Sequence, residues 1–487
     1  MSTTRKIAIN SIVLLICKII YSILFILASL LIVRYLGKER YGKFSIVFAY
    51  LSFFQILTSL GIDQIVIKEI SKDNSKQNNI IGNAIIMKIV FSVSAIFISY
   101  ISLQFMGYTN EIKFFIYIAS LSMLMSFNTI YLGLFQIHFK TVYYAIPELF
   151  TLLAFLIFTL LFIKLKVSVF YFIILQSFLI IPQTIIYIYF SKKISNFQPI
   201  YKIDFTIWNF LLKEAWPIFL TCVFSSVTMR IDQLILFKHF DAKTLGLYSA
   251  VVKLTEALNI IPGMFMVSIF PLLCSHFEKS NHKFGKINYL TFKYMNIISI
   301  PIAFGTSILS QKLIYLFYGN NFLPASNALS ILIWAEPFIF FAIVNGSIFY
   351  ASGMQKHVFV LSLFGAVQNL ILNLLLIPKY GIVGASLSTV FTFFGFGFIL
   401  QYQIEKMRQP IKDFFITALK PAICSAIMCI FTYFFYSLNI FLIIILSTLI
   451  YSFLLIVTGC IGSEDLEYLK QIINYKKKEI SNSEISN

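Results

Sequence analysis

Apolar stretches of twenty or more residues recur along almost the whole chain, and nothing else in the sequence constrains the fold as strongly. A hydrocarbon core about 30 Å thick is crossed by about 20 helical residues rising about 1.5 Å each. Measured against that length, the sequence predicts fourteen spans, opening with 7–33 and 42–66 and closing with 412–436 and 439–460. Backbone polar groups cannot stay unpaired in lipid, so each span is expected to be helical. The predicted fold class is an all-α integral membrane protein. A chain of 487 residues that is 59% apolar and 12% charged is not a soluble enzyme. Ile7 to Val33 is longer than the about 7–15 residue core of a signal peptide and lacks a small-residue cleavage site, so it reads as the first span. The connections are short. The longest polar ones, 191–207, 275–288 and the tail after Gly462, leave no room for a soluble catalytic domain.

The net charge of +18 does not point to nucleic acid, because the basic residues are scattered between apolar runs. With the N-terminus placed in the cytoplasm, the inner connections carry roughly twice the Lys and Arg of the outer ones, which predicts both termini inside. The basic first turn, Arg34 to Lys43, runs against this orientation. Lys470 to Lys478 forms a basic tail suited to anionic lipid.

One short block repeats. Tyr41-Gly42-Lys43-Phe44-Ser45-Ile46-Val47 aligns with Leu245-Gly246-Leu247-Tyr248-Ser249-Ala250-Val251 at an offset of 204, each block opening the second span of a pair. Spans one and two then correspond to seven and eight. Six spans per repeat is an even number, so the two halves share their orientation. The predicted organisation is an N-terminal lobe over 1–190, a cytoplasmic linker over 191–207 with an amphipathic segment, a C-terminal lobe over 208–405, two appended spans in 406–462 and a cytoplasmic tail over 463–487.

Charges inside spans are the candidate functional residues, because an ion in hydrocarbon costs roughly 2.5–3.5 kcal/mol and needs a partner or a wet cavity. The basic ones are Lys18, Lys88, Arg230, Lys253, Lys293 and Lys420. The last two sit where they can snorkel. The acids are Asp232, Glu256, Glu336 and Glu148. Arg230 and Asp232 are two apart and diverge by about 200° on a helix, whereas Lys253 and Glu256, three apart, can pair. Pro337 removes the hydrogen bond to Ile333 and places Glu336 at a helix break at mid-depth. Glu148 follows Pro147 near a helix start, where the dipole accounts for it. Pro182, Pro217, Pro262, Pro271, Pro301 and Pro421 are further expected kinks. The six cysteines lack metal or disulfide spacing and read as small buried hydrophobes. No catalytic, metal or cofactor motif is present in the sequence.

Three blocks together resemble a known family. They are Arg34-Tyr35-Leu36-Gly37 with Tyr41 to Ser45; Met229-Arg230-Ile231-Asp232-Gln233 with Leu245 to Ser249 and Lys253-Leu254; and Asn373 to Ala385. In order and spacing they look like polysaccharide (O-antigen) flippases of the Wzx type, within the superfamily that also holds multidrug extruders and the lipid II flippase. The resemblance implies two six-helix lobes around a central cavity and alternating access. Its implied substrate is a polyprenyl-pyrophosphate-linked oligosaccharide in a bacterial inner membrane. Lys18, Arg230, Lys253 and Lys88 would then hold the pyrophosphate, and Glu336, Asp232 and Glu256 would couple an ion. Membrane lipids are implied partners, and partnership with a polysaccharide polymerase and a chain-length regulator stays open. A multidrug extruder is the alternative, although spans one and three carry Lys18 and Lys88 and no acid. A membrane-embedded glycosyltransferase or polymerase would need a large outer loop.

Overall fold

The computed structural model describes residues 3–138, 140–194, 197–277, 281–395 and 405–462. The tail over 463–487 and the end of span twelve, 396–404, lie outside the described residues. Helices are named in chain order: α1 (Thr3–Ser59), α2 (Ile62–Lys72), α3 (Gln77–Phe105), α4 (Asn110–Ser120), α5 (Asn128–Ile137), α6 (Val142–Lys164), α7 (Val169–Phe178), α8 (Ile180–Ser191), α9 (Phe205–His239), α10 (Ala242–Glu256), α11 (Ile260–Phe277), α12 (Asn281–Tyr318), α13 (Ser326–Leu332), α14 (Glu336–Ala351), α15 (Gln355–Phe394), α16 (Glu405–Phe434) and α17 (Ile440–Val457). Among the described residues, 12 helical stretches are long and apolar enough to cross a membrane. Two of them, Cys17–Lys72 with 56 residues and Lys356–Phe394 with 39, are longer than one crossing needs. Each is broken by a glycine at positive φ, Gly37 at 68° and Gly381 at 56°. The twelve stretches follow the expected spans in order, so the expected fourteen holds approximately. Large apolar side chains such as Phe105, Phe150, Phe434 and Phe453 are exposed, while Asn83, Ser92, Asn296 and Asn373 are fully buried. A bilayer permits that arrangement, and water would not.

The prolines divide into two groups. Pro182, Pro262 and Pro337 each lie in the first turn of α8, α11 and α14, just after an interruption at Leu179, Ala257–Asn259 and Ile333–Ala335. Each therefore sits where its missing N–H costs nothing. Pro217, Pro271, Pro301 and Pro421 lie inside continuous helices.

Packing divides the chain into two compact units, with the boundary after Gly246 and thus later than the 191–207 linker. The reason is visible in the first unit. Its core joins Ile65, Ile81, Phe135, Tyr187 and Leu211 from α2, α3, α5, α8 and α9. The described end of the linker, 197–204, contains no helix, which corrects the expected amphipathic segment. It is strapped instead to the start of α3. Asn78 accepts from the backbone N–H groups of Gln198 and Ile200, and Asn83 Oδ1 accepts from Asp204 N and Trp208 Nε1. Gly82 is required there, since a Cβ would lie 2.0 Å from Ile200 O. The N-terminal half of α9 then packs on the start of α2 through Gly61 against Ile218 and on α2 through the Lys68–Glu214 ion pair at 3.1 Å.

The repeated block has a direct structural counterpart in the same unit. A Cβ on Gly42 would lie 1.6 Å from Ala242 O, and one on Gly246 would lie 1.7 Å from Lys38 O. Lys38 and Ala242 differ by the same 204 positions as Gly42 and Gly246. The two copies therefore meet backbone to backbone in a reciprocal, locally two-fold contact that only glycine permits.

In the second unit, Phe292, Phe341 and Phe414 anchor a core shared by α12, α14 and α16. The appended α16 and α17 are fastened to α12. Asn296 Nδ2 donates to Phe414 O and Thr417 Oγ1, and Tyr451 Oη donates to Ile297 O. Lys420 Nζ donates to Thr458 O at the end of α17, a capping role for a residue expected to snorkel. Cys424, Cys429 and Cys460 pack in this interface. Cys222 and Cys274 are exposed, so the buried-hydrophobe reading of the cysteines does not extend to them.

Candidate functional site

The intramembrane charges fall into separate environments. Lys88, on α3, is 1% exposed and donates to Asp63 Oδ1 at 2.6 Å, to Thr129 Oγ1 and to Ser126 O at 3.3 Å. Thr129 Oγ1 also donates to the same carboxylate oxygen, and Ser59 donates to the other. All three ammonium protons are therefore used inside the first unit. This corrects the reading of Lys88 as a substrate-facing cation: it is the enclosed half of an ion pair. Asp63, 25% exposed, is the open half. The pair joins two helices 25 residues apart in sequence, with Thr129 on a third, so no local pattern announced it.

Arg230 and Asp232 diverge on α9 as their spacing requires. Asp232 is 4% exposed and accepts from Gln233 N at 2.7 Å, whereas Arg230 is half-buried. Lys253 and Glu256 are half-buried at the C-terminal end of α10, where the helix dipole favours the lysine. Lys18 is exposed on α1.

Among the described residues, Glu336 is the most enclosed acid, 1% exposed at the start of α14. The helix does break beside it, through the single tight turn Ile333–Ala335, as Pro337 predicts. Its Oε2 has no hydrogen-bond partner among the described residues. Glu256, in the same unit, lies near enough for its charge to act on Glu336. Two carboxylates in a low-dielectric site repel, and a cation or proton between them relieves the cost.

A polar seam escapes a search for charges because it carries none. Asn369 Nδ2 donates to Thr392 Oγ1 at 3.1 Å across the two arms of α15, and Asn373 Nδ2 donates to Asn369 Oδ1 at 2.8 Å within the first arm. Asn373 Oδ1 has no partner among the described residues. The available signal was two asparagines one turn apart in an apolar helix. Among the described residues, no group of three His, Cys, Asp or Glu is placed to hold a metal ion.

The sequence pattern described as Polysaccharide biosynthesis protein matches residues 7–277, more than half of the chain. The chain belongs to the polysaccharide biosynthesis protein family. A second pattern, MatE, matches residues 217–375, consistent with the superfamily that joins polysaccharide exporters and multidrug extruders. The lipid II flippase MurJ of Bacillus subtilis is 31% identical over 144 residues, 28% of this chain and 26% of that one. The capsular polysaccharide biosynthesis protein CapF of Staphylococcus aureus is 29% identical over 178 residues, 35% of this chain and 44% of that one. A putative O-antigen transporter of Shigella flexneri is 25% identical over 169 residues, 34% and 40%. Each of these matches spans under half of the relative's length. In fold, the family member resembles a lipid II flippase MurJ in an inward closed conformation, with TM-score 0.75, 18% identity and coverage of 91% and 98%. It also resembles an inward-facing multidrug resistance MATE transporter, with TM-score 0.64, 14% identity and coverage of 82% and 95%.

Proposed function

We propose that this family member is a flippase that moves a polyprenyl-pyrophosphate-linked oligosaccharide, an O-antigen or related repeat unit, across the cytoplasmic membrane, with both termini inside. The observation that carries the reading is the retention of half-buried cations within membrane-spanning helices, Arg230 in the first unit and Lys253 in the second. A pyrophosphate is the anion that such groups recognise in a low-dielectric setting, and its charge repays their burial. Lys18 adds a third cation on span one. The family membership and the names of the relatives support a lipid-linked saccharide as cargo. Glu336, with Glu256, is the proposed seat of the coupling cation, because a buried carboxylate oxygen without a donor is stable only when something positive arrives. Asp232 is the third proposed coupling acid. A multidrug extruder is the second reading, favoured by the MatE match over 217–375.

Complementation of surface polysaccharide in a strain lacking its own flippase, at matched membrane expression, tests the proposal. Arg230→Lys should keep part of the activity and Arg230→Ala should lose most of it. Restoration by Arg230→Ala with Asp232→Ala would make Arg230 an internal structural charge and sink its substrate role. Glu336→Gln should leave the protein inserted but slow transport and flatten its pH dependence. Drug resistance conferred without any polysaccharide would favour the extruder.

A further inference from the structure

The lysines at one end of the first unit divide by their partners. Lys68, Lys72 and Lys76 are neutralised there by Glu214, Glu69 and Asp73 at 3.1, 2.8 and 3.3 Å. Lys140, in the connection between α5 and α6, and Lys193, just past the end of α8, have no ion pair among the described residues. Between Glu111 and Asp204 the sequence holds a single acid, Glu148, and it lies inside a span. Aromatic rings hold the two ammonium groups instead. Lys140 Nζ lies 5.5 Å from the centroid of the Tyr143 ring, and Lys193 Nζ lies 5.0 Å from that of Tyr189 and 5.3 Å from that of Phe190. Tyr143 and Phe190 stack with centroids 5.1 Å apart, so the two cations flank one aromatic pair. Lys140 Nζ also donates to Lys193 O at 3.0 Å, which ties the α5–α6 connection to the end of α8. That bond uses one of its three protons, and Lys193 Nζ donates to no atom among the described residues. Lys193 and Tyr189 are exposed, and Lys140, Tyr143 and Phe190 are half-buried.

Two fixed cations with no acid beside them match an anion. Held over rings, they are partly stripped of water and kept in one arrangement, with protons left to donate to a phosphate oxygen. Three spans end at this place, at Ile137, Val142 and Ser191, which sets the cluster at the depth of lipid headgroups, where tyrosine and lysine concentrate. The surface that leads away from the cluster is made for acyl chains. On α6, Ile146 and Phe150 follow Tyr143 at helical spacing, and on α8 Ile185 lies one turn before Tyr189, all three exposed along spans. A soluble phosphate has no use for that surface, and a phospholipid does. We propose that Lys140 and Lys193, with Tyr143, Tyr189 and Phe190, form a headgroup site for an anionic phospholipid at the ends of α5, α6 and α8. A bound headgroup bridges the α5–α6 connection and the end of α8, and fixes this end of the unit at the bilayer surface. The site depends on the membrane-spanning fold and on no particular cargo.

The full chain in detergent micelles is titrated with dioleoylphosphatidylglycerol and, separately, with dioleoylphosphatidylcholine, whose choline cancels its phosphate. Native mass spectrometry reads the dissociation constant of the first lipid retained. The intact chain should prefer the anionic lipid by about thirtyfold, the scale of two interfacial lysines. Lys140→Gln with Lys193→Gln should remove most of that preference, and Lys140→Arg with Lys193→Arg should keep it. Lys193→Gln alone leaves the hydrogen bond from Lys140 to the backbone of residue 193 in place and should cut the preference by about fivefold. Lys72→Gln with Lys76→Gln takes the same charge from the same end and should change it by less than about twofold, because those lysines are already paired and exposed charges are screened. No preference in the intact chain, a full preference in the Lys140 and Lys193 glutamine variant, or an equal loss in the Lys72 and Lys76 variant would overturn the site. Displacement of the retained lipid by an equal concentration of glycerol 3-phosphate would show that the cluster takes free phosphate, and would overturn its assignment to lipid.

Discussion

Replacing Gly42 by alanine tests the reciprocal glycine contact, and the structure supplies the magnitude. The new Cβ would begin 1.6 Å from Ala242 O and 3.0 Å from Gly246 N, both backbone atoms that no rotamer change can move. A carbon meets a carbonyl oxygen comfortably at about 3.3 Å, so the helices would have to part locally by about 1.7 Å. Overpacking of this kind costs typically 1–3 kcal/mol, and a backbone partner puts it at about 3. Alanine's better helix propensity returns about 1 kcal/mol, leaving a net loss of about 2 kcal/mol. A Cβ on Gly365, in α15, would have nothing within 4 Å of it, so Gly365→Ala should be neutral or stabilising by up to about 1 kcal/mol. Reversible SDS titration of the full chain in mixed micelles measures both. Gly246→Ala should match Gly42→Ala, and the double variant should cost clearly less than the sum, because the first substitution already opens the space the second needs. Gly42→Ala behaving like Gly365→Ala, or strict additivity of the pair, would refute the reasoning.

The enclosed ion pair predicts that Lys88→Met, which strands Asp63, destabilises by about 3 kcal/mol in the same titration, the low end of the buried-pair range because Asp63 is partly open. Adding Asp63→Leu should recover most of that loss; a silent single variant would show that the pair does not hold α2, α3 and α5 together. Asp204, outside the spans, caps α9, and the Thr206 hydroxyl, followed by the Thr206 and Ile207 amides, holds its carboxyl below the usual range. Its folded value is the lower one, so its contribution is complete above the unfolded value of about 3.9 and fades as pH falls through the folded value. Stability measured from pH 7 downward should therefore fall toward that of Asp204→Asn only in this acid window, and a difference that disappears well above pH 4 would contradict the assignment.

Composition and periodicity alone determined that the chain spans a membrane many times, roughly where each span lies, and that the helix breaks before Glu336. These properties follow from transfer of apolar length into lipid and from the missing N–H of proline, which act locally. The block repeat around Gly42 and Gly246 was visible too, and three order-and-spacing blocks already pointed to the family. Tertiary structure decided which charges are enclosed and which stay open. Lys88 and Lys18 look alike in sequence, yet one is locked to Asp63 on another helix and the other stays exposed. Glu148 has the sequence context of a dipole-stabilised acid, but the start of α6 at Val142 places it nearly two turns in. The linker reads in sequence as carrying an amphipathic segment, but Asn78 and Asn83 strap its described end to α3. In each case the deciding partner lies on another helix tens of residues away or in the way that helix begins. The energy of a buried charge depends on the atoms within a few ångströms of it, and that neighbourhood exists only once the helices have packed.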